Sequence, residues 1–417
     1  MAAHGIFADL LIPGRGPPLK QGAVIIKDDR IVHVGEQDNI PSEYSSVDVV
    51  RVPVLMPGLW DCHLHFLGVT SYVFDQLLTT HHAIAGARGA HDVTATLRAG
   101  YTSVRELTGY GVQLQKAIDD GLVVGPRIYS SVSSLSQTAG HCDMHPIPAA
   151  TLQDAIDHGL PICIVDGVEE CRKGVRKQIR RGAEVIKVTA SGGVANEITN
   201  LLDQQFSDEE LSAIVKEATR ARLAVAAHCH GKDGIMAALR AGCTTIEHGS
   251  YLDEEAINLM LEKNAILVAT RTVIDVGLRY KQAFTPKSYE RLQGLAVAHS
   301  NAYKAAVKAG VRIALGSDLG LSVQKTLFSH GANGQELHHA VQAGMTPLEA
   351  IEAATANGPA TLGPRAPLSG QLVVGYDADL IALSLNPLDD IKVFNDPKNI
   401  THVWRGGNVF KGPENQI

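Results

Sequence analysis

The chain has 417 residues, 45% hydrophobic and 19% charged, with a formal net charge of −7. Such a chain can bury a large core, which excludes disorder and a small disulfide-stapled module. There is no basic block for nucleic acid, no apolar run of the roughly 18 residues that span a membrane, and no visible secretory signal. The six cysteines are scattered without a CxxC pair and read as buried free thiols, so a cytoplasmic protein is expected.

Residues 1–53 alternate like short strands, and "GAVIIKDDRIVHVG" reads apolar, turn, apolar, with Asp28-Asp29 at the turn. The stretch "GLWDCHLHF" then sets His63 and His65 two residues apart, on one face of a strand. Further β-rich runs follow: "TSVREL", "RIYSS", "VIKVTA", "LAVAAHCH", "TTIEHGS", "AILVATR" and "VRIALGSD". Helix-period segments lie between them. Two of these carry start signals, Ser207 with Glu210 three residues on, and Thr346 with Pro347 and Glu349. The C-terminal runs "DLIALSLNPLDDI" and "ITHVWRGGNVFKG" are strand-like again, the second broken by Gly406-Gly407. This alternation predicts an α/β fold: a (β/α)8 TIM barrel over residues 54–363, and a small β-sandwich built from 1–53 plus 364–417.

The polar residues of the central runs sit near their ends: Lys187, His228 and His230, His248, and Asp318. In a barrel, the C-terminal strand ends form the face where active sites are built. Each residue alone has an ordinary reading. Lys187 could snorkel to the surface, Asp318 could cap a helix, and the histidines could be satisfied core residues. Converging on one mouth together with His63 and His65, they point to metal chemistry instead. Neutral imidazoles suit zinc and related divalent ions, and a carboxylate adds an oxygen ligand. A lysine buried beside cations has its pKa pushed down by desolvation and like charge. The neutral amine can then add carbon dioxide, giving a carbamate with two oxygens able to bridge two metals.

His230 shares a face with His228 and is expected either to contact the substrate or to orient a ligand from behind. Further candidates for the mouth are His141 in "TAGHCD", Tyr251 just past His248, and Arg271 at the end of "AILVATR". A guanidinium or a tyrosine hydroxyl suits a substrate carboxylate, although Arg271 could equally form a structural ion pair.

With these residues in place, the chain resembles the amidohydrolase superfamily. His63, His65, Lys187, His228, His248 and Asp318 match its binuclear metal-binding pattern position by position. The stretches "SQTAGHCDMH", "AHCHGKDGIMAALRAGCTTIEHGSY" and "TPLEAIEAATAN" are similar to the ochratoxinases and to related Xaa-Pro dipeptidase and carboxypeptidase-like members. The resemblance implies two divalent ions, zinc foremost, one held by His63, His65 and Asp318 and the other by His228 and His248. Carbamylated Lys187 would lie between them. It further implies a metal-bridging hydroxide as nucleophile and Asp318 as general acid/base; His230, from its place beside His228, is the second catalytic candidate, through contact with the substrate or transition state.

The implied reaction cleaves the amide bond to a C-terminal L-amino acid. Ochratoxin A, giving ochratoxin alpha and L-phenylalanine, is one implied substrate, beside N-acyl amino acids and dipeptides. A homo-oligomer, by resemblance an octamer, is expected. The same ligands leave open a cyclic-amide hydrolase or lactonase and, in another class, a non-catalytic barrel scaffold. Two stretches near the site, "PIPAATLQDAIDHGLPICIVDG" and "LGLSVQKTLFSHGANGQELHHAV", depart from the ochratoxinase pattern.

Overall fold

The computed structural model describes residues 3–73 and 75–413. The chain opens with four strands, β1 (His4–Leu11), β2 (Leu19–Lys27), β3 (Arg30–Glu36) and β4 (Asp48–Pro57). The β2–β3 hairpin turns at Asp28, which takes a left-handed φ of 56°. Gly58 then separates β4 from β5 (Leu59–Val69). A side chain there would collide with Thr102, its Cβ only 2.1 Å from Oγ1, so the chain can pass from one sheet to the next only with glycine.

The central strands are β6 (Tyr101–Glu106), β7 (Arg127–Ser130), β8 (Ser134–Ser136), β9 (Ile162–Ile164), β10 (Ile186–Thr189), β11 (Val225–Cys229), β12 (Thr245–His248), β13 (Ile266–Val268) and β14 (Leu319–Leu321). They read as continuous apolar runs because helices cover them, as parallel strands require. Hydrogen bonding arranges them as two parallel sheets, ordered β14-β5-β6-β7 and β13-β12-β11-β10-β8-β9. Backbone bonds also run across both gaps between these sheets. Glu184 N donates to Ser130 O at 2.9 Å on one side. On the other, Leu267 bridges Ile313 and Cys62 N donates to Leu315 O at 2.8 Å.

The intervening helices start where side chains can cap them. Ser207 and Glu210 close a full capping box on helix Asp208–Arg220, as do Thr346 and Glu349 on helix Pro347–Ala353. Their buried faces, for example Leu211, Ile214 and Ala218, pack onto the parallel strands in one large core.

The last strands are β15 (Leu380–Leu383), β16 (Ile400–Arg405) and β17 (Asn408–Lys411), with Gly406 and Gly407 in left-handed conformations at the β16–β17 turn. They join the N-terminal strands in one seven-stranded sheet, ordered β17-β16-β15-β4-β1-β2-β3. Ile6, Val24, Ile31, Leu380 and Trp404, from opposite parts of that sheet, share a separate apolar cluster. Alternate residues such as Val54, Met56 and Ile381 face the main core instead. The chain is thus a mixed α/β fold. Among the described residues, no helix is long and apolar enough to cross a membrane.

Candidate metal centre and catalytic cavity

His63 and His65 project from one side of β5, with ring centroids 5.3 Å apart. Each ring is oriented through one nitrogen. His63 Nδ1 bonds Glu247 Oε2 at 2.8 Å, and His65 Nδ1 donates to Thr108 O at 2.9 Å. Their Nε2 atoms are turned to one carboxylate oxygen, Asp318 Oδ1, at 3.5 and 3.1 Å. From the far strands come His228 and His230, on β11 and just past it, and His248, the last residue of β12. His248 Nδ1 is held by Thr270 Oγ1 at 2.7 Å and His230 Nδ1 by Ser250 Oγ at 2.7 Å. Orientation of this kind fixes which ring nitrogen remains free to bind.

The backbone is bent where these groups enter. His248 and Asp318 have φ values of 69° and 57°, and Thr270, behind His248, has 54°. Residues other than glycine rarely adopt this conformation, which costs of order 1–3 kcal/mol each and clusters at functional sites. Gly316, two residues before Asp318, makes the close approach possible, since a Cβ there would stand 2.7 Å from that of His63.

Two groups of ligand atoms lie within 4.8 Å of one another: His228, His230 and His248, and His63, His248 and Asp318. Burial foremost pushes the His63 and His141 imidazoles down to about 4 and that of His230 to about 3. His228 and His248 lie well below the ordinary histidine range, through burial first and the neighbouring imidazoles next. All five rings are therefore neutral at pH 7, the state a metal ligand requires. Burial would raise the Asp318 carboxyl, but His63 and His65 outweigh it and hold the group below its usual value.

Lys187, on β10, lines the same cavity, and its Nζ is buried with no hydrogen-bond partner among the described residues. Burial lowers its pKa, against the pull of Glu247 and Asp318. An ammonium group left so would be costly. The orphaned nitrogen and the neutral imidazoles fit residues that complete a metal site.

The cavity has a volume of about 180 Å³ and holds all six expected ligand residues together with His141 and His230. His141 stacks on His228, with centroids 4.4 Å apart and an interplanar angle of 14°. Gly193 makes that placement possible, because a Cβ there would lie 2.1 Å from His141 Cε1. Much of the remaining lining is apolar or aromatic, with Leu67, Tyr72, Leu77, Val273, Phe284 and Leu292. Tyr72 and Phe284 stack at 5.3 Å.

Tyr251 and Arg271, expected at the mouth, are not among the cavity-lining residues. Tyr251 packs among Leu201, Ile274, Leu292 and Leu295. Arg271 begins helix Arg271–Arg279 after the left-handed Thr270, its Nη1 donates to Ala296 O at 2.7 Å, and it lines a different cavity.

Other residues of the site were not singled out in the sequence. Glu247 bridges His63 to Arg105, whose Nη2 donates to Oε1 at 2.7 Å, with both side chains fully buried. Asp61 accepts from the His63 and Ser317 amides, from Ser317 Oγ at 2.5 Å and from Asn333 Nδ2 at 2.6 Å, and so ties β5 to the segment bearing Asp318. A lone acidic or basic residue inside an apolar run, as in "TTIEHGS", "TSVREL" and "GLWDCHLHF", was the available signal.

Residues 54–410 match the model of the amidohydrolase family, so the chain belongs to that family and is a hydrolytic enzyme. Ochratoxinase of Aspergillus niger is 52% identical to it over 425 residues, covering 98% of this chain and 86% of the relative. The crystal structure of A. niger ochratoxinase matches with a TM-score of 0.92 over 99% of this chain and 96% of that one. A prolidase complexed with N-methylphosphonate-L-proline is 31% identical, with a TM-score of 0.88 over 99% of this chain and all 100% of its own. A Xaa-Pro dipeptidase with methionine bound in its active site is 28% identical, with a TM-score of 0.86 over the same shares.

Proposed function

We propose that this chain is a binuclear, zinc-dependent amidase that cleaves the amide bond to a C-terminal L-amino acid, with ochratoxin A and related N-acyl amino acids or dipeptides as substrates. The observation that carries the reading is one cavity joining six metal-ligand side chains to an apolar, aromatic wall. Ochratoxinase, the prolidase and the dipeptidase among its relatives support the amide class. His63, His65 and Asp318 would hold one ion, His228 and His248 the other, and Lys187, as a carbamate, would join them. Ions held there would supply a nucleophile from water near neutral pH and Lewis acidity toward the amide carbonyl.

The chain's own residues supply the rest. Asp318 stands at the cavity with its carboxylate ionised, so it can accept a proton and deliver it to the leaving nitrogen. An amide nitrogen leaves poorly without that proton. His141 and His230 present neutral rings to the same space and can hydrogen-bond the substrate's carboxylate or carbonyl. With Arg271 turned away, these two imidazoles take over the anchoring expected of a guanidinium. The wall of Tyr72, Phe284 and Leu292 would receive an apolar or aromatic group and exclude water.

On the same reading the two parallel sheets are one (β/α)8 barrel, supported by the backbone bonds that span both gaps between them. The terminal strands are then a sandwich-like domain of residues 1–53 and 364–417. The enzyme would act as a homo-oligomer in a reducing compartment, where its six free cysteines, five of them buried, stay reduced.

The test is hydrolysis of ochratoxin A beside a panel of N-acyl amino acids, dipeptides, cyclic amides and lactones. Release of L-phenylalanine from ochratoxin A, with kcat/KM for amides of C-terminal L-amino acids above that for cyclic amides and lactones, is expected. Preference for a lactone or cyclic amide would overturn the substrate assignment.

A further inference from the structure

Outside the catalytic cavity, a second cavity of about 390 Å³ opens between the helices Arg271–Arg279, Pro286–Lys308 and Gln335–Gln342. Its lining is polar: Arg271, Asp275, Ser300, Tyr303, Lys304 and His339 among others. Among the described residues, Arg271 and Tyr303 have donor capacity that the protein does not use, and His339 has an unpartnered ring nitrogen. Among the described residues, the half-buried Arg271 guanidinium forms no ion pair and donates one hydrogen bond, to Ala296 O at 2.7 Å, out of five N–H donors. Tyr303 is 3% exposed, and its hydroxyl is buried with no partner among the described residues. His339 is 7% exposed; its Nδ1 meets Gln342 Oε1 at 3.2 Å, while Nε2 is buried with no partner among the described residues.

Buried polar groups are nearly always satisfied, so the unused donors of Arg271 and Tyr303 around one cavity mark a missing acceptor. The charge has the matching sign. Arg271 and exposed Lys304 are cationic, and the one carboxylate in the lining, Asp275, is already paired with Arg279 at 2.6 Å. A planar guanidinium fork beside a phenolic hydroxyl recognises the oxygens of a carboxylate or phosphate.

We propose that this cavity is a binding site for a small oxoanion, carrying a carboxylate or phosphate group, with Arg271 and Tyr303 as its principal donors and His339 as a third when protonated. The proposal does not rest on the substrate assignment. Its position gives it a route to the metal centre. Arg271 directly follows Thr270, whose hydroxyl holds His248, and the amides of Arg271 and Thr272 are both pinned by Glu336 at 3.0 and 2.7 Å. An anion drawn onto Arg271 therefore loads the segment that orients a metal ligand.

The experiment is calorimetric titration of the metal-loaded enzyme with inorganic phosphate and, separately, with acetate, in wild type, Arg271→Gln and Tyr303→Phe. Tyr303→Phe keeps the ring and its packing, so it guards against a variant that fails by misfolding. The expected result is saturable binding of one anion per chain, at least tenfold weaker in both variants, while Tyr303→Phe hydrolyses amides at the wild-type rate. The anion that binds tighter identifies the ligand as carboxylate or phosphate. No saturable binding of either anion by wild type would overturn the proposal. So would equal binding by all three proteins, which would place the anion on the catalytic metals instead.

Discussion

Replacing Glu247 by glutamine should both destabilise the fold and loosen the metal centre. Glu247 is fully buried between Arg105 and His63. Burial alone would raise its pKa, yet the Arg105 guanidinium and the His63 ring overcome this and hold it at about 2. Relative to the ordinary 4.5, that depression is worth roughly 3 kcal/mol at 1.36 kcal/mol per unit. The sign follows from linkage. The contribution is complete above the unfolded value of 4.5 and is lost as pH falls through 2. Glutamine removes it at every pH and leaves Arg105 uncompensated, in line with the roughly 3–5 kcal/mol lost when one partner of a buried pair is deleted.

The amide also offers His63 Nδ1 a different partner, so zinc affinity should fall about 10- to 100-fold. Urea unfolding of the metal-free protein at pH 7 measures the first effect, and competitive zinc titration the second. Adding Arg105→Met to Glu247→Gln should recover much of the stability and none of the affinity. Wild-type urea midpoint and zinc affinity in Glu247→Gln would refute the reasoning.

Asp318→Asn should fold normally but lose about 100- to 10,000-fold in kcat, the usual worth of a positioned acid/base, as steady-state kinetics on any cleaved amide would show. In Gly193→Ala, the new Cβ would sit 2.1 Å from His141 Cε1 and displace that ring from His228. The expected outcome is kcat/KM about 10- to 100-fold lower with metal content unchanged, because a small misplacement is enough. His299 lies outside the ligand set, and burial holds its ring at about 3 against the pull of the Ala269 carbonyl. Stability should then be level above pH 6.5 and fall toward pH 3 by up to about 1.4 kcal/mol per unit from this residue. His299→Gln keeps a donor for Ala269 and should flatten that acid limb in denaturation curves of the metal-free protein.

The cavity's histidines, Lys187 and Asp318 were legible because each interrupts or ends an apolar run, and a buried strand has few reasons to carry a histidine or lysine there. Capping boxes at Ser207 and Thr346 were legible because they need only four adjacent residues. The Arg105–Glu247 pair was not, because its partners are 142 residues apart and spacing does not say which strands become neighbours. That Arg271 lines a second cavity and not the catalytic one was not legible, because the left-handed turn at Thr270, which starts a new helix there, leaves no mark in "AILVATR". The short strands β8 and β9, of three residues each, offer too little alternation to be seen. The expected run "VRIALGSD" carries only an isolated bridge at Ile313, although Asp318 is delivered as foreseen.

The central claim is that six side chains hold two metal ions with Lys187 between them. Metal content by elemental analysis, in wild type and Lys187→Met reconstituted with zinc and bicarbonate, tests it most directly. The account predicts about two ions per chain in the wild type and fewer than one in Lys187→Met, with a carbamate carbon visible by NMR after ¹³C-bicarbonate labelling only when Lys187 is present. Equal metal content in the two proteins, or none in either, would contradict it.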